Sequence, residues 1–270
     1  MNRAPTQWVK RCLIPTLIFF LFFTSCRTIS NFPHGKIIDL TYPFGEDTIY
    51  WPTEEGFVLE KEIEGYTAKG YYYASNRFHA PEHGGTHIDA PRHFSEKGKT
   101  LDEIPVEQLM GEGIVVDMSE KCKKDHDYQI GVEDFLAWEK ENGRIPDRVI
   151  VFLKTGFGKY WPDRVNYLGT DERGPEAVKK LHFPGLHPDA ARWLADSRHI
   201  KAVGLDTASI DYGQSQLYGS HVNLFERNVP ALENIANLDK LPTKGFFVIA
   251  LPMKIKKGSG GPLRIVAIVS

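Results

Sequence analysis

The chain is expected to fold as a single α/β domain, a mixed β-sheet with flanking helices. Seven short runs rich in Val, Ile and Phe have strand length. Two amphipathic stretches lie between some of them with helical spacing, and other neighbouring strands have no helical crossover between them, which requires antiparallel as well as parallel pairing. Of the 270 residues, 41% are hydrophobic and 12% aromatic, enough for one large core and incompatible with a disordered or collagen-like chain. The 33 basic residues against 35 acidic ones form no basic run, which excludes a nucleic-acid binder.

At the N-terminus, Arg3, Lys10 and Arg11 precede an apolar stretch over 12–23 and the small residues Thr24 and Ser25. This order predicts a secretory signal peptide over 1–25, the apolar run being shorter than the ~20 residues of a transmembrane helix. Phe23-Thr24-Ser25-Cys26 resembles a bacterial lipoprotein signal, with Phe23 where an aliphatic residue is usual, so Cys26 is the candidate lipidated first residue and membrane tether. Cleavage removes three positive charges and takes the net charge from −2 to −5. The expectation is an exported protein, periplasmic or extracellular, with its domain over 32–270.

Strands are expected at 37–40, 57–63, 113–118, 149–153, 201–205, 246–253 and 263–269. A helix is expected over 132–142, with Phe135, Leu136 and Trp138 on its apolar side, and another over 187–197, with a proline near its start and Ala190, Ala191 and Leu194 recurring at helical spacing. Cys122, in the polar stretch 121–125, is expected to be a surface thiol. With no Cys-x-x-Cys pair in the chain, metal chemistry must use His, Asp and Glu.

Four of the ten histidines fall within 79–93. In an extended segment, side chains alternate faces, so His83, Gly85, His87 and Asp89 would point the same way, with Gly85 leaving room between the imidazoles. Two imidazoles and a carboxylate suit Zn²⁺ or Mn²⁺ with positions left open for water. A helical His-Glu-x-x-His reading fails, because Gly84 stands where the glutamate is needed and two glycines disfavour a helix. Pro91 then bends the chain so that His93 can swing over the metal as a general base.

Residues 83–94, HGGTHIDAPRHF, are similar to the His-x-Gly-Thr-His-x-Asp-x-Pro-x-His-Phe signature of the cyclase-like metal-dependent hydrolases, which include bacterial-type kynurenine formamidase and isatin hydrolase. The resemblance continues at 38–41 (IDLT), 153–156 (LKTG, with Lys154 where the family has Arg), 182–185 (HFPG) and 203–211 (VGLDTASID). It implies a swivelling β/β/α fold and a second ligand pair, His221 and Glu233, with Glu226 a nearby competitor. His83, His87 and Asp89 would then hold one ion and Asp89, His221 and Glu233 a second, so that two divalent ions share a carboxylate. It also implies a homodimer or homotetramer in which a neighbour's loops help to close the site. His79, His182 and His187 receive no role.

The expected reaction is hydrolysis of an amide-type C–N bond in a small aromatic or cyclic amide, such as N-formylkynurenine or isatin. Metal-activated water would attack with His93 as base, and Trp51 is the candidate for stacking on the substrate. The competing class is a non-catalytic exported metal-containing protein that binds a small aromatic ligand.

Overall fold

The computed structural model describes Met1 and residues 34–270, so the expected leader and Cys26 lie outside the described residues. Residues 34–270 form one unit. In chain order the strands are β1 (Lys36–Asp39), β2 (Val58–Tyr66), β3 (Tyr72–His79), β4 (His87–Asp89), β5 (Met110–Asp117), β6 (Gln129–Ile130), β7 (Ile150–Lys154), β8 (Gly185–Leu186), β9 (Ala202–Leu205), β10 (Ala231–Glu233), β11 (Lys244–Pro252) and β12 (Gly260–Val269). The helices are α1 (Ser119–Lys124), α2 (Val132–Asn142), α3 (Arg164–Leu168), α4 (Pro175–Val178), α5 (Pro188–Arg198) and α6 (Gly219–Phe225).

Eight strands form one mixed sheet in the order β1-β12-β11-β5-β7-β9-β10-β4. The neighbours β5-β7-β9-β10 run parallel, and the remaining pairs are antiparallel. The sheet closes on itself because β12 serves two partners along one edge: Gly260–Pro262 pair with β4, and Val266–Val269 pair with β1. Closure removes the exposed edges that an open sheet would leave at β4.

Inside the closed sheet, Ile38, Ile88, Phe152, Leu232, Phe246 and Ile265 form one apolar core. A second core lies between the sheet and helices α2, α5 and α6 and is built on Phe135, Trp138, Leu194, Leu205 and Phe225. Helix α2 has the expected limits: the Asp134 carboxylate accepts from the Gly131 amide at its start (2.8 Å), and Gly143 ends it at φ 86°. Phe135 and Trp138 are buried as expected, whereas Leu136 faces solvent. Helix α5 starts at Pro188, and the His187 ring accepts from the Asp189 amide (3.1 Å) as its cap.

Two expectations are corrected. Cys122 is fully buried, because α1 turns it into a third core with Ile49, Phe157, Tyr167 and Phe183 while its lysine neighbours take the solvent side. The strand expected at 57–63 forms as β2 but lies outside the mixed sheet, as half of a two-stranded ribbon, β2–β3, in which no residue is buried. The ribbon presents Val58, Leu59, Ile63, Tyr66, Tyr72, Tyr73 and Phe78 to solvent.

Candidate metal centre and active site

Strand β4 places the centre. His87 and Asp89 are two residues apart on it and share a face, while Ile88 points into the core. Glu233, at the end of β10, lies directly across from His87, so the antiparallel β10–β4 pairing sets a second carboxylate beside the first imidazole. His221 comes from α6. Asp211 accepts from the Ser220 and His221 amides at 3.0 and 3.2 Å and also holds His221 Nδ1 at 2.6 Å, which turns Nε2 toward Asp89. His87 is fixed in the same sense by its Nδ1, 3.0 Å from the Gly85 carbonyl.

The continuous extended reading of 83–89 is corrected. Gly84 and Gly85 have φ of 155° and 56°, so they form a turn that delivers His83 to the cage from outside β4. Gly85 does not make room between the imidazoles; a Cβ there would strike Phe44 and Thr48, and one on Gly84 would lie 2.0 Å from the Tyr50 ring. Asn234 holds the turn from below by donating to the Gly85 carbonyl (2.7 Å). Thr86 accepts from the Tyr42 amide and donates to the Asn234 carbonyl, a backbone-satisfying role.

The two oxygens of Asp89 face different groups. Oδ1 lies 2.6 Å from His83 Nδ1 and 3.1 Å from His87 Nε2, and Oδ2 lies 3.1 Å from His221 Nε2. Glu233 completes the second group, 3.3 Å from His221 Nε2 and 3.5 Å from His87 Nε2. The structure thus brings together all five residues proposed as ligands, in two clusters that share Asp89 and could each hold a metal ion. Glu226 is exposed at the end of α6 and takes no part.

Electrostatics fit a cation. Burial works against charge on Asp89, yet His83 and His87 hold its carboxyl well below the usual range. Burial and the Asp89 charge raise Glu233. Burial would lower His87, but Asp89 and Glu233 lift it to about 9, and His221 is lifted well above its usual value by Asp211, Asp89 and Glu233 against its own burial. A field that retains protons on two buried imidazoles is one in which a divalent ion is favoured, and the donor set of imidazole nitrogen and carboxylate oxygen suits Zn²⁺ or Mn²⁺.

His93 ends a short turn, Pro91–His93, and stacks on His83 with ring centroids 3.8 Å apart. Desolvation of its ring, opposed by Asp89 and reinforced by the neighbouring imidazoles, pushes its pKa down to about 4, so it is neutral near pH 7. A pocket of about 420 Å³ opens over the cage, walled by Tyr50, Trp51, Phe94, Ser209 and Tyr218. Trp51 lies in this wall, edge-on to Phe183. His79, His182 and His187 lie elsewhere, against Glu60, Asp127 and the start of α5. Lys154 pairs with Asp117 at 2.5 Å.

Sequence reasoning missed Asp211, Asn234, Phe94 and Tyr218 as site residues. Asp211 ends the 203–211 motif, and an acidic residue ten positions before a candidate ligand histidine was the available signal.

Strand β4 and the elements around it set three imidazoles and two carboxylates at the floor of an aromatic pocket, the donor set of a divalent-metal centre. The chain belongs to the cyclase family: the family model described as "Putative cyclase" matches residues 38–212. It is 35% identical over 246 residues to isatin hydrolase of Roseibium aggregatum, covering 88% of each chain. It is 27% identical over 233 residues to kynurenine formamidase of Bacillus cereus, covering 85% of this chain and 95% of that one. The structure of isatin hydrolase A from Labrenzia aggregata, bound to benzyl benzoate, superposes with a TM-score of 0.77 at 34% identity, covering 87% of this chain and 93% of that one. These relatives make the protein a metal-dependent amidohydrolase.

Proposed function

We propose that this enzyme opens a planar cyclic amide of the isatin type, using two divalent ions held by His83, His87, Asp89, His221 and Glu233. The observation that carries the reading is the split of Asp89, one oxygen toward each cluster, beneath an aromatic pocket. A pocket of about 420 Å³ suits a bicyclic aromatic, and identity to an isatin hydrolase exceeds identity to the formamidases. When bound, the ions supply Lewis acidity that activates water and the substrate carbonyl. His93, neutral and stacked beside the cage, accepts a proton from the attacking water at a ring nitrogen and returns it to the leaving nitrogen. Trp51 packs against the substrate ring and helps keep bulk water from the reacting carbonyl.

The same reading extends to the setting of the enzyme. The leader over 1–25 and Cys26 support export and a lipid tether. The uncovered apolar residues of the β2–β3 ribbon support a homo-oligomer, since an isolated two-stranded ribbon is marginal without packing.

The test is absorbance-monitored hydrolysis of isatin and of N-formylkynurenine by purified protein, with metal analysis and a chelator control. Chelator-sensitive opening of isatin with two ions per chain is expected. Turnover of N-formylkynurenine alone would overturn the substrate assignment, and one ion at full activity would overturn the shared-carboxylate reading.

A further inference from the structure

The three cage imidazoles are not oriented alike. His87 and His221 turn Nε2 inward, whereas His83 turns Nδ1 toward Asp89 and directs Nε2 away from the cage. That outer nitrogen lies 2.9 Å from Ser259 Oγ, and Ser259 Oγ in turn donates to Glu82 Oε2 at 2.6 Å. The Ser259 amide donates to the same Glu82 oxygen at 3.0 Å.

With the Ser259 hydroxyl proton committed to Glu82, Oγ is left as an acceptor for His83. With a cation in the cage, the chain of bonds runs His83 Nε2–H to Ser259 Oγ–H to Glu82 and leaves the Nδ1 lone pair for the ion; without one, a proton sits between Nδ1 and the Asp89 oxygen 2.6 Å away. We propose that Ser259 and Glu82 are positioning residues that fix the tautomer and ring direction of His83 and so set the metal affinity of the His83-His87-Asp89 cluster.

The surroundings are shaped for this arrangement. Ser259 lies between two glycines that allow the backbone to close on its partners. A Cβ on Gly260 would lie 2.5 Å from His83 Cε1, and one on Gly258 would lie 2.8 Å from Glu82 Oε1. Two successive carbonyls of this segment are pinned: the Ala90 amide donates to the Ser259 carbonyl at 2.8 Å and the Leu101 amide to the Gly258 carbonyl at 2.9 Å. Since Ala90 follows Asp89, the serine is held in register with the carboxylate that His83 faces. Glu82 is next to His83 in the chain, so a short turn carries both the imidazole and the anchor of its support.

The inference rests on the metal reading above for its consequence, though not for its geometry, and the experiment separates the two. In protein loaded with diamagnetic Zn²⁺, long-range ¹H–¹⁵N spectra of His83 are expected to show the proton on Nε2 in the wild type and a shifted, exchange-broadened Nε2 signal in Ser259→Ala. A wild type with Zn²⁺ bound that carries the His83 proton on Nδ1 would overturn the proposal. In titrations with Mn²⁺ alone, Ser259→Ala and Glu82→Gln are expected to weaken one of two binding events by about 10–100-fold and leave the other unchanged. Ser259→Thr, which keeps the hydroxyl, should restore it. Unchanged affinity for both events in Ser259→Ala would overturn the proposal, as would equal loss in Ser259→Thr with its fold intact by circular dichroism. A wild type that binds neither Mn²⁺ nor Zn²⁺ overturns the metal reading itself, whereas metal binding with unchanged affinity in the variants overturns only the role of Ser259 and Glu82.

Discussion

Strand β4 and the β2–β3 ribbon are joined by residues 80–86, yet they sit at opposite extremes of the molecule. All three residues of β4 are buried, and the strand is paired on both edges, with β10 and with β12. The ribbon is longer and, among the described residues, pairs only with itself; the aromatic contacts of Phe57 with Phe44 and Phe78 lie at its base. A side chain on β4 is therefore held by several neighbours at once, which is what a metal cage needs, because donors must stay in place when their mutual repulsion would spread them. The ribbon's apolar residues have no such neighbours within the described chain and are available for an interface.

The largest effect is expected where β4 carries chemistry. Asp89→Asn keeps the volume but removes the charge that both clusters use. Activity should fall about a thousandfold or more, roughly 4 kcal/mol of transition-state stabilisation, with both ions lost together. Measured kcat/KM and metal content check this; retention of one tightly bound ion would show that the two clusters are less dependent on Asp89 than its geometry indicates.

Next comes stability. Phe152, buried inside the closed sheet and stacked on Phe246 with centroids 6.2 Å apart, should cost about 3–5 kcal/mol as Phe152→Ala. Tyr72→Ala on the ribbon should change unfolding of the separated chain by no more than about 0.5 kcal/mol. Urea unfolding of both variants at low protein concentration tests the contrast directly. If the ribbon variant is as costly as the core variant, the ribbon is packed in the folded unit and the comparison breaks.

On the proposed homo-oligomer, the ribbon variants should act on assembly instead. Replacing Leu59 and Phe78, which face each other across the two strands, with glutamate places like charges on an apolar surface. Light scattering should show a shift toward smaller species with the fold unchanged. An assembly as stable as the wild type would move the interface elsewhere.

How much of this was legible in the sequence follows the same division. Strands β2, β5, β11 and β12 and helix α2 were readable because their apolar periodicity is local, β3 was missed although it is as long as β5, and His83, His87, Asp89 and His93 were readable because they lie within one short run. His221 and Glu233 came from family resemblance alone, because Glu233 reaches β4 by strand pairing and His221 from helix α6, each more than 130 residues from Asp89 in the chain. Strands β4 and β10, of three residues each, carry too little pattern to be seen. The Gly84-Gly85 turn was misread as extended, since glycine allows both conformations and only the contacts of Tyr50 and Phe44 choose between them. The ribbon's solvent exposure was invisible because alternation does not say whether an apolar face finds a partner.

Cys122 offers an effect that is absent at neutral pH. Its lysine neighbours suggested a surface thiol, but α1 points it into the core beside Phe157 and Tyr167, where burial, with Asp206 and Asp134 nearby, pushes its pKa up to about 12. Two results follow from one cause. In the native protein at pH 8 the thiol should react with a disulfide reagent only as fast as the fold opens, while denatured protein reacts at once. The thiol is neutral in the fold and ionises near pH 9 when unfolded, so its contribution is complete below pH 9 and is lost as pH rises toward 12, by up to about 1.4 kcal/mol per unit. Cys122→Ala should lack that slope above pH 9 and match the wild type's pH dependence below it. Rapid native labelling at pH 8 would return Cys122 to the surface and contradict the packing of α1.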